Sequence, residues 1–194
     1  NNSALSPGSG PITVMVWFKL ESVLTATRHI YDDKATTGGS NSVQIRLDSG
    51  NSPLCIWRLT DEFGIDADIV LEPGRWYHIV CIRNTDTGRD MMYLNGKFHL
   101  DSADSSGNID TSGGIVPCVG TTSGGGNCGT GTANFWDGLI DDLRVYKRVV
   151  SAAEIEAIYR REIDANEPKL KDALGGYWKF NNDLLDETDN ALNG

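Results

Sequence analysis

Three carboxylates fall within six residues of the run REIDANEPK at 161–169: Glu162, Asp164 and Glu167. Two carboxyl groups held about 5–5.5 Å apart can divide the work of breaking a glycosidic bond, one as nucleophile and one as proton donor. That geometry needs a strand, whose alternation aims residues i and i+2 at one face, with a bulge to correct the third. The residues before the run predict a helix instead. Ser151 is set to cap it, Glu154 follows three residues later as a capping box, and Ile155, Ile158 and Tyr159 form an apolar stripe, giving a helix over about 152–161. Helical spacing at the end of that element would separate Glu162 and Asp164 by about 200°. Pro168 then breaks the chain, so the run is expected to be a charged linker rather than a catalytic centre.

Other arrangements offer less. His29, His78 and His99 are isolated, no G-x-S-x-G elbow is present, and the run GTTSGGGNCGTG lacks the G-K-[ST] of a phosphate loop. His78 is expected to be a hydrogen-bonded core histidine, and the Gly-rich run a surface loop with a weak claim to ligand contact. The four cysteines contain no C-x-x-C and have no nearby histidine, which argues against zinc. A Cys118–Cys128 disulfide would tether the Gly-rich loop between them. Cys55 and Cys81 lie in two strand-like runs; they either pair across a sheet or serve as small buried hydrophobes. An oxidising, extracellular setting is expected.

The chain of 194 residues carries 17 Lys and Arg against 27 Asp and Glu, a net charge of −10. Such a chain is repelled by nucleic acid and by anionic membrane surfaces. No apolar run approaches the ~20 residues of a membrane span, so membrane insertion is not expected. The opening NNSALSPGSG does not have the form of a signal peptide.

Strand-like runs recur between turns rich in Gly, Asn, Asp and Ser: 12–20, 28–32, 42–48, 53–59, 65–71, 75–83, 89–96, 97–100, 114–120 and 138–147. That spacing predicts an all-β, two-sheet antiparallel sandwich of jelly-roll type with one short C-terminal helix. The Asn-Gly in MMYLNGKFHL predicts a tight hairpin. Residues 1–160 form the predicted domain and 161–174 a linker. The aromatic segment GGYWKFNND then opens a final piece at 175–194.

Three stretches, in order, carry a family resemblance: ITVMVWFKL, GRWYHIVCIRNTDTGRDMMYLNGK and FWDGLIDDLRVYKRVVSAAEIEAIY. Together they resemble the laminin-G-like, or concanavalin A-like lectin/glucanase, superfamily. The resemblance implies a two-sheet jelly roll, with Trp17, Trp76 and Trp178 at core positions. The segment GGYWKFNNDLLDETDNALNG resembles the family's opening strand but lies after the closing one. Either it completes the same sandwich, in permuted order, or it begins a second repeat. Docking in cis or by strand exchange with another chain is expected, since an unpaired aromatic strand invites aggregation. The resemblance also implies one structural Ca²⁺, with Asp141 as a ligand and Asn181 and Asp186 as partners. The pattern E-I-D-x-x-E resembles the catalytic bulge of laminarinase- and lichenase-type glycoside hydrolases, and that activity is the enzymatic alternative.

Sugar recognition needs aromatic faces and planar polar groups on one surface. Trp57 lies beside Arg58 in a strand apolar on both faces, and Arg46 alternates with Val43, Ile45 and Leu47 so as to point away from the core. Trp57, Arg46 and Arg58 are therefore the expected ligand-binding residues. The expected function is a non-catalytic carbohydrate-binding or adhesion module of an extracellular or surface protein, with carbohydrate or glycoconjugate as partner. The remaining alternative is a structural or protein-binding repeat domain with neighbouring repeats.

Overall fold

A computed structural model describes residues 5, 8–33, 42–58, 62–103, 109, 117–124, 127–129, 134–161, 168–190 and 192. Its strands are β1 (Ile12–Leu20), β2 (Arg28–Asp32), β3 (Ser42–Leu47), β4 (Pro53–Arg58), β5 (Glu62–Asp66), β6 (Trp76–Asn84), β7 (Arg89–Leu94), β8 (Lys97–Ala103), β9 (Cys118–Val119), β10 (Ser123–Gly124), β11 (Asn127–Cys128), β12 (Gly138–Tyr146) and β13 (Leu174–Trp178). Two helices, α1 (Ala152–Tyr159) and α2 (Pro168–Lys171), lie between β12 and β13. A six-stranded back sheet runs β13-β12-β1-β6-β7-β8, and a five-stranded front sheet runs β5-β4-β3-β2-β9. All of the pairings are antiparallel, which makes a two-sheet jelly-roll sandwich.

Alternation builds the core. Along β1, Ile12, Val14, Val16, Phe18 and Leu20 turn inward and meet Val43, Ile45, Leu47 and Trp57 of the front sheet. Met15 turns the other way. With Val80, Ile82, Tyr93 and Tyr146 it forms a second apolar layer, which α1 seals with Ile155 and Ile158. The capping box is present: Glu154 N donates to Ser151 Oγ, and Ser151 N donates to Glu154 Oε2 at 2.8 Å. The β7–β8 hairpin turns at Asn95 and Gly96, both with positive φ (51° and 78°), as an Asn-Gly turn requires.

Cys55 of β4 and Cys81 of β6 are bonded across the sandwich, with Cα atoms 5.5 Å apart, and Cys118 is bonded to Cys128. Strand β13 pairs with β12 in the same chain, setting Leu143 opposite Trp178 and Arg144 opposite Tyr177. The aromatic segment therefore sits at the edge of the back sheet, beside the strand that closes the first 160 residues.

Two strand expectations need correction. The run 65–71 was expected to be extended, yet β5 ends at Asp66. Asp68 has φ +49°, and Leu71 N donates to Asn51 O, so this stretch is tied to a neighbouring loop rather than to a strand. In 114–120 the strand is confined to Cys118–Val119 among the described residues. Trp76, implied to be core, is 43% exposed. It is the first residue of β6, opposite Lys19 near the end of β1, where neither apolar layer extends over it.

Candidate functional site: the outer face of the front sheet

The two outer faces of the sandwich differ. Over the back sheet, α1 covers an apolar layer. On the front sheet, register places polar groups side by side. Leu54 of β4 pairs with Arg46 of β3, which pairs with His29 of β2. Two residues along, Ile56 pairs with Gln44, which pairs with Asp32. Cross-strand partners share a face, so the result is two parallel rows, each running from aliphatic to planar polar to ionisable.

The side chains in these rows are mutually positioned. Gln44 Nε2 donates to Asp32 Oδ1 at 3.3 Å, and His29 Nδ1 lies 3.7 Å from Asp32 Oδ2. Arg46 Nε lies 3.5 Å from Asp48 Oδ1, which also accepts from Thr27 Oγ1 at 2.9 Å. His29, Asp32 and Gln44 are buried, while Arg46 keeps 16% of its side-chain exposure and is the most accessible of the four. Gly64 flanks Ile56 in the next strand, and a Cβ there would meet Cys55 O and Ile56 Cγ1 at 3.0 Å, so the close approach of β5 depends on glycine. Next in sequence to Asp32, Asp33 accepts bonds from Val43 N and from the hydroxyl of Tyr31. Burial pushes the Asp33 carboxyl well above its usual range, and burial likewise raises Tyr31.

The structure separates the expected ligand residues. Arg46 faces outward as its alternation predicted. Trp57 does not: it is fully buried between the sheets, opposite Val43, so the expectation of an exposed indole is corrected. Its strand is apolar on both faces because both are covered; Leu54 and Ile56, which face the other way, are buried too. Arg58 pairs through its backbone with Ser42 and Glu62. His29, Asp32 and Gln44 were missed. The signal for Gln44 was present, since it lies two residues from Arg46 in a strand and must share its face.

The implied calcium shell does not assemble. Asp186 Oδ1 accepts from Tyr177 N (2.9 Å) and Thr188 N (3.0 Å), and its Oδ2 accepts from Thr188 Oγ1 (2.7 Å) and Leu192 N (3.0 Å). A carboxylate with four protein donors has no lone pair directed at an ion, so these residues do not fit the group. Asn181 is exposed, and Asp141 lies 3.8 Å from the guanidinium of Arg161. Among the described residues, no three His, Cys, Asp or Glu side chains gather as a metal set. The carboxylates Glu162, Asp164 and Glu167 lie outside the described residues.

His78 is the other unusual group. It is buried between Trp17 (ring centroids 5.1 Å) and Tyr159 (6.0 Å), and neither ring nitrogen has a hydrogen-bond partner among the described residues. The expectation of a hydrogen-bonded histidine therefore holds for its burial and not for its bonding. Burial lowers its pKa to about 4, with Asp142 opposing and Arg144 adding to the shift.

A two-sheet sandwich covered by a helix on one side defines a β-sandwich domain of jelly-roll type. The family model described as the concanavalin A-like lectin/glucanases superfamily matches residues 1–156, and the chain belongs to that superfamily. No curated protein matches it in sequence. Among solved structures, the CBM40 of Ruminococcus gnavus IT-sialidase, bound to α2,3-sialyllactose, is similar with a TM-score of 0.64 and 15% identity, covering 79% of this chain and 84% of that one. A putative carbohydrate-binding protein from Bacteroides ovatus gives 0.62 and 15%, over 89% of this chain and 46% of its own length, so this chain spans about half of that relative. A heptameric SAP-like pentraxin from Limulus polyphemus gives 0.59 and 18%, over 84% and 74%. At these identities the likeness is one of fold. No helix among the described residues is long and apolar enough to cross a membrane.

Proposed function

We propose that the protein is a non-catalytic carbohydrate-binding module acting outside the cell, with its sugar contact on the outer face of the front sheet at Arg46. One observation carries this: Leu54–Arg46–His29 lies beside Ile56–Gln44–Asp32 in register. A pyranose carries a rim of hydroxyls, and Arg46, the one side chain of the six that is not buried, is the group placed to meet them, with the buried neighbours fixing its position. The guanidinium supplies forked donors to adjacent hydroxyls or to a carboxylate, and Asp48 fixes its approach. Carbohydrate-binding neighbours of the same fold are consistent with this use, and two disulfides suit an oxidising compartment.

A glycan array probed with the wild-type chain and with Arg46→Ala tests the reading. Binding by the wild type that falls about tenfold or more in the variant is expected, as for loss of one charged hydrogen-bonding group. No binding to any glycan, or equal binding by both proteins, would overturn it.

A further inference from the structure

A cavity of about 270 Å³ opens on the opposite side of the molecule, lined by Lys171, Leu174, Tyr177, Lys179, Glu187, Thr188, Asp189 and Asn190. We infer that it is a second ligand site, for an uncharged vicinal diol the size of one sugar ring.

Three elements converge to build it. Tyr177 stands opposite Arg144, while its neighbour Trp178 belongs to the inter-sheet core, so Tyr177 faces outward on the back sheet. Its ring is held by the Arg144 guanidinium at 4.4 Å, and its hydroxyl accepts from Arg144 Nη2 at 3.3 Å. The C-terminal turn is fastened along the free edge of β13: Glu187 N donates to Tyr177 O (2.8 Å), Asn190 Nδ2 donates to Gly175 O (2.9 Å), and Asp186 holds Tyr177 N and Thr188. Lys171, at the end of α2, closes the remaining side. A wall fixed by that many bonds is set before any ligand arrives, which lowers the ordering cost of binding.

The lining chooses the chemistry. Two ammonium groups, Lys171 and Lys179, face two carboxylates, Glu187 and Asp189, so the formal charges cancel and no ion is favoured over its opposite. Lys179 and Glu187 pair at 3.3 Å. Lys171 and Asp189 remain on the rim as a donor and an acceptor without an ion pair among the described residues. A hydroxyl both donates and accepts, so two adjacent hydroxyls can bridge an ammonium and a carboxylate at once. Leu174, together with the small exposed part of the Tyr177 ring, which is 6% exposed with Arg144 and Lys179 against it, supplies apolar surface for a sugar's C–H groups. The volume sits just under the range of about 300–1,000 Å³ usual for small-molecule sites, which suits a single ring rather than an oligosaccharide.

The test is an ¹⁵N–¹H NMR titration of the full chain with the methyl glycosides of glucose, mannose and galactose, whose vicinal hydroxyls differ in geometry, and with sodium acetate as a charge control. At least one glycoside is expected to give saturable shifts at 171–179 and 187–190, weakened about tenfold by Lys171→Met or by Asp189→Asn, and unchanged in Arg46→Ala. Both substitutions lie on exposed rim positions outside the Asp186 network, so folding should survive them. Absence of saturable shifts there with all three glycosides, acetate shifts of the same size, or shifts that persist in both rim variants would overturn the inference. Because Arg46→Ala leaves this site intact, either site can fail without the other.

Discussion

Gly96 lies directly beneath the ring of Tyr159: a Cβ at Gly96 would sit 2.8 Å from both Tyr159 Cγ and Cδ1. This contact joins the turn of the β7–β8 hairpin to α1, beside the packing of Tyr93 with Ile155 and Ile158. The same tyrosine stacks on Trp17 at 5.3 Å with planes 10° apart, so turn, helix and back sheet meet at a single side chain. Glycine is required at 96 twice over, by its φ of +78° and by the ring above it.

Gly96→Ala should therefore destabilise the protein by about 2–4 kcal/mol, combining left-handed strain with overpacking. Gly88→Ala separates the two causes. Gly88 also has positive φ (+64°), but a Cβ there meets nothing within 4 Å, so only the strain of about 1–2 kcal/mol should register. Urea unfolding of the two variants measures the difference; equal losses would mean that α1 does not press on the turn.

The local elements were legible because their signals are local. Ser151 with Glu154 predicted the start of α1, and Asn95-Gly96 predicted the hairpin, since a cap and a turn depend on a few adjacent residues. The outward direction of Arg46 was legible from alternation. Trp57 was not: a strand covered on both faces loses the alternation that would say which side is wet. The end of β5 was equally hidden, because Asn51, far away in sequence, holds Leu71 through both its backbone O and its Nδ2. The partner of β13 was hidden as well, because its pairing with β12 is a contact between segments about thirty residues apart.

Acid should weaken the fold through His78. Its folded pKa is about 4, below the usual 6.5, so the unfolded chain binds more protons in between. The contribution is fully present above about pH 6.5, falls as pH drops towards 4, and amounts to about 3 kcal/mol as an upper bound. Stability measured by urea at several pH values should decline over that window, and His78→Phe should flatten the decline. An unchanged slope in the variant would place the acid sensitivity elsewhere.

The two disulfides should differ in weight. Cys55–Cys81 closes 26 residues and ties the two sheets; Cys118–Cys128 closes 10 residues at one edge. Loop entropy assigns about 3.5 kcal/mol to the first and about 2.7 kcal/mol to the second. Burial of Cys55 and Cys81 in the core should widen the gap, because their replacement by alanine also leaves a void. Thermal unfolding of each double alanine variant is expected to show the larger drop in Tm for the inter-sheet pair; the reverse order would mean that the sheets hold together without it.

Asp186 decides whether the C-terminal turn is held by the protein itself or by an ion. Its carboxylate takes two donors on each oxygen, and one of them, Tyr177 N, is a buried backbone group on β13. Asp186→Ala strands those donors and should cost about 3 kcal/mol or more, undocking the turn from β13. Asp186→Asn keeps an oxygen but replaces the other with an NH₂ that opposes the donors from Thr188 and Leu192, so an intermediate loss is expected. If the protein donors are sufficient, EDTA leaves the Tm of the wild-type chain unchanged and added Ca²⁺ does not raise it. A Tm that falls on chelation and returns with Ca²⁺ would show that an ion helps hold the fold, and the hydrogen bonds to Asp186 would then account for only part of the turn's attachment.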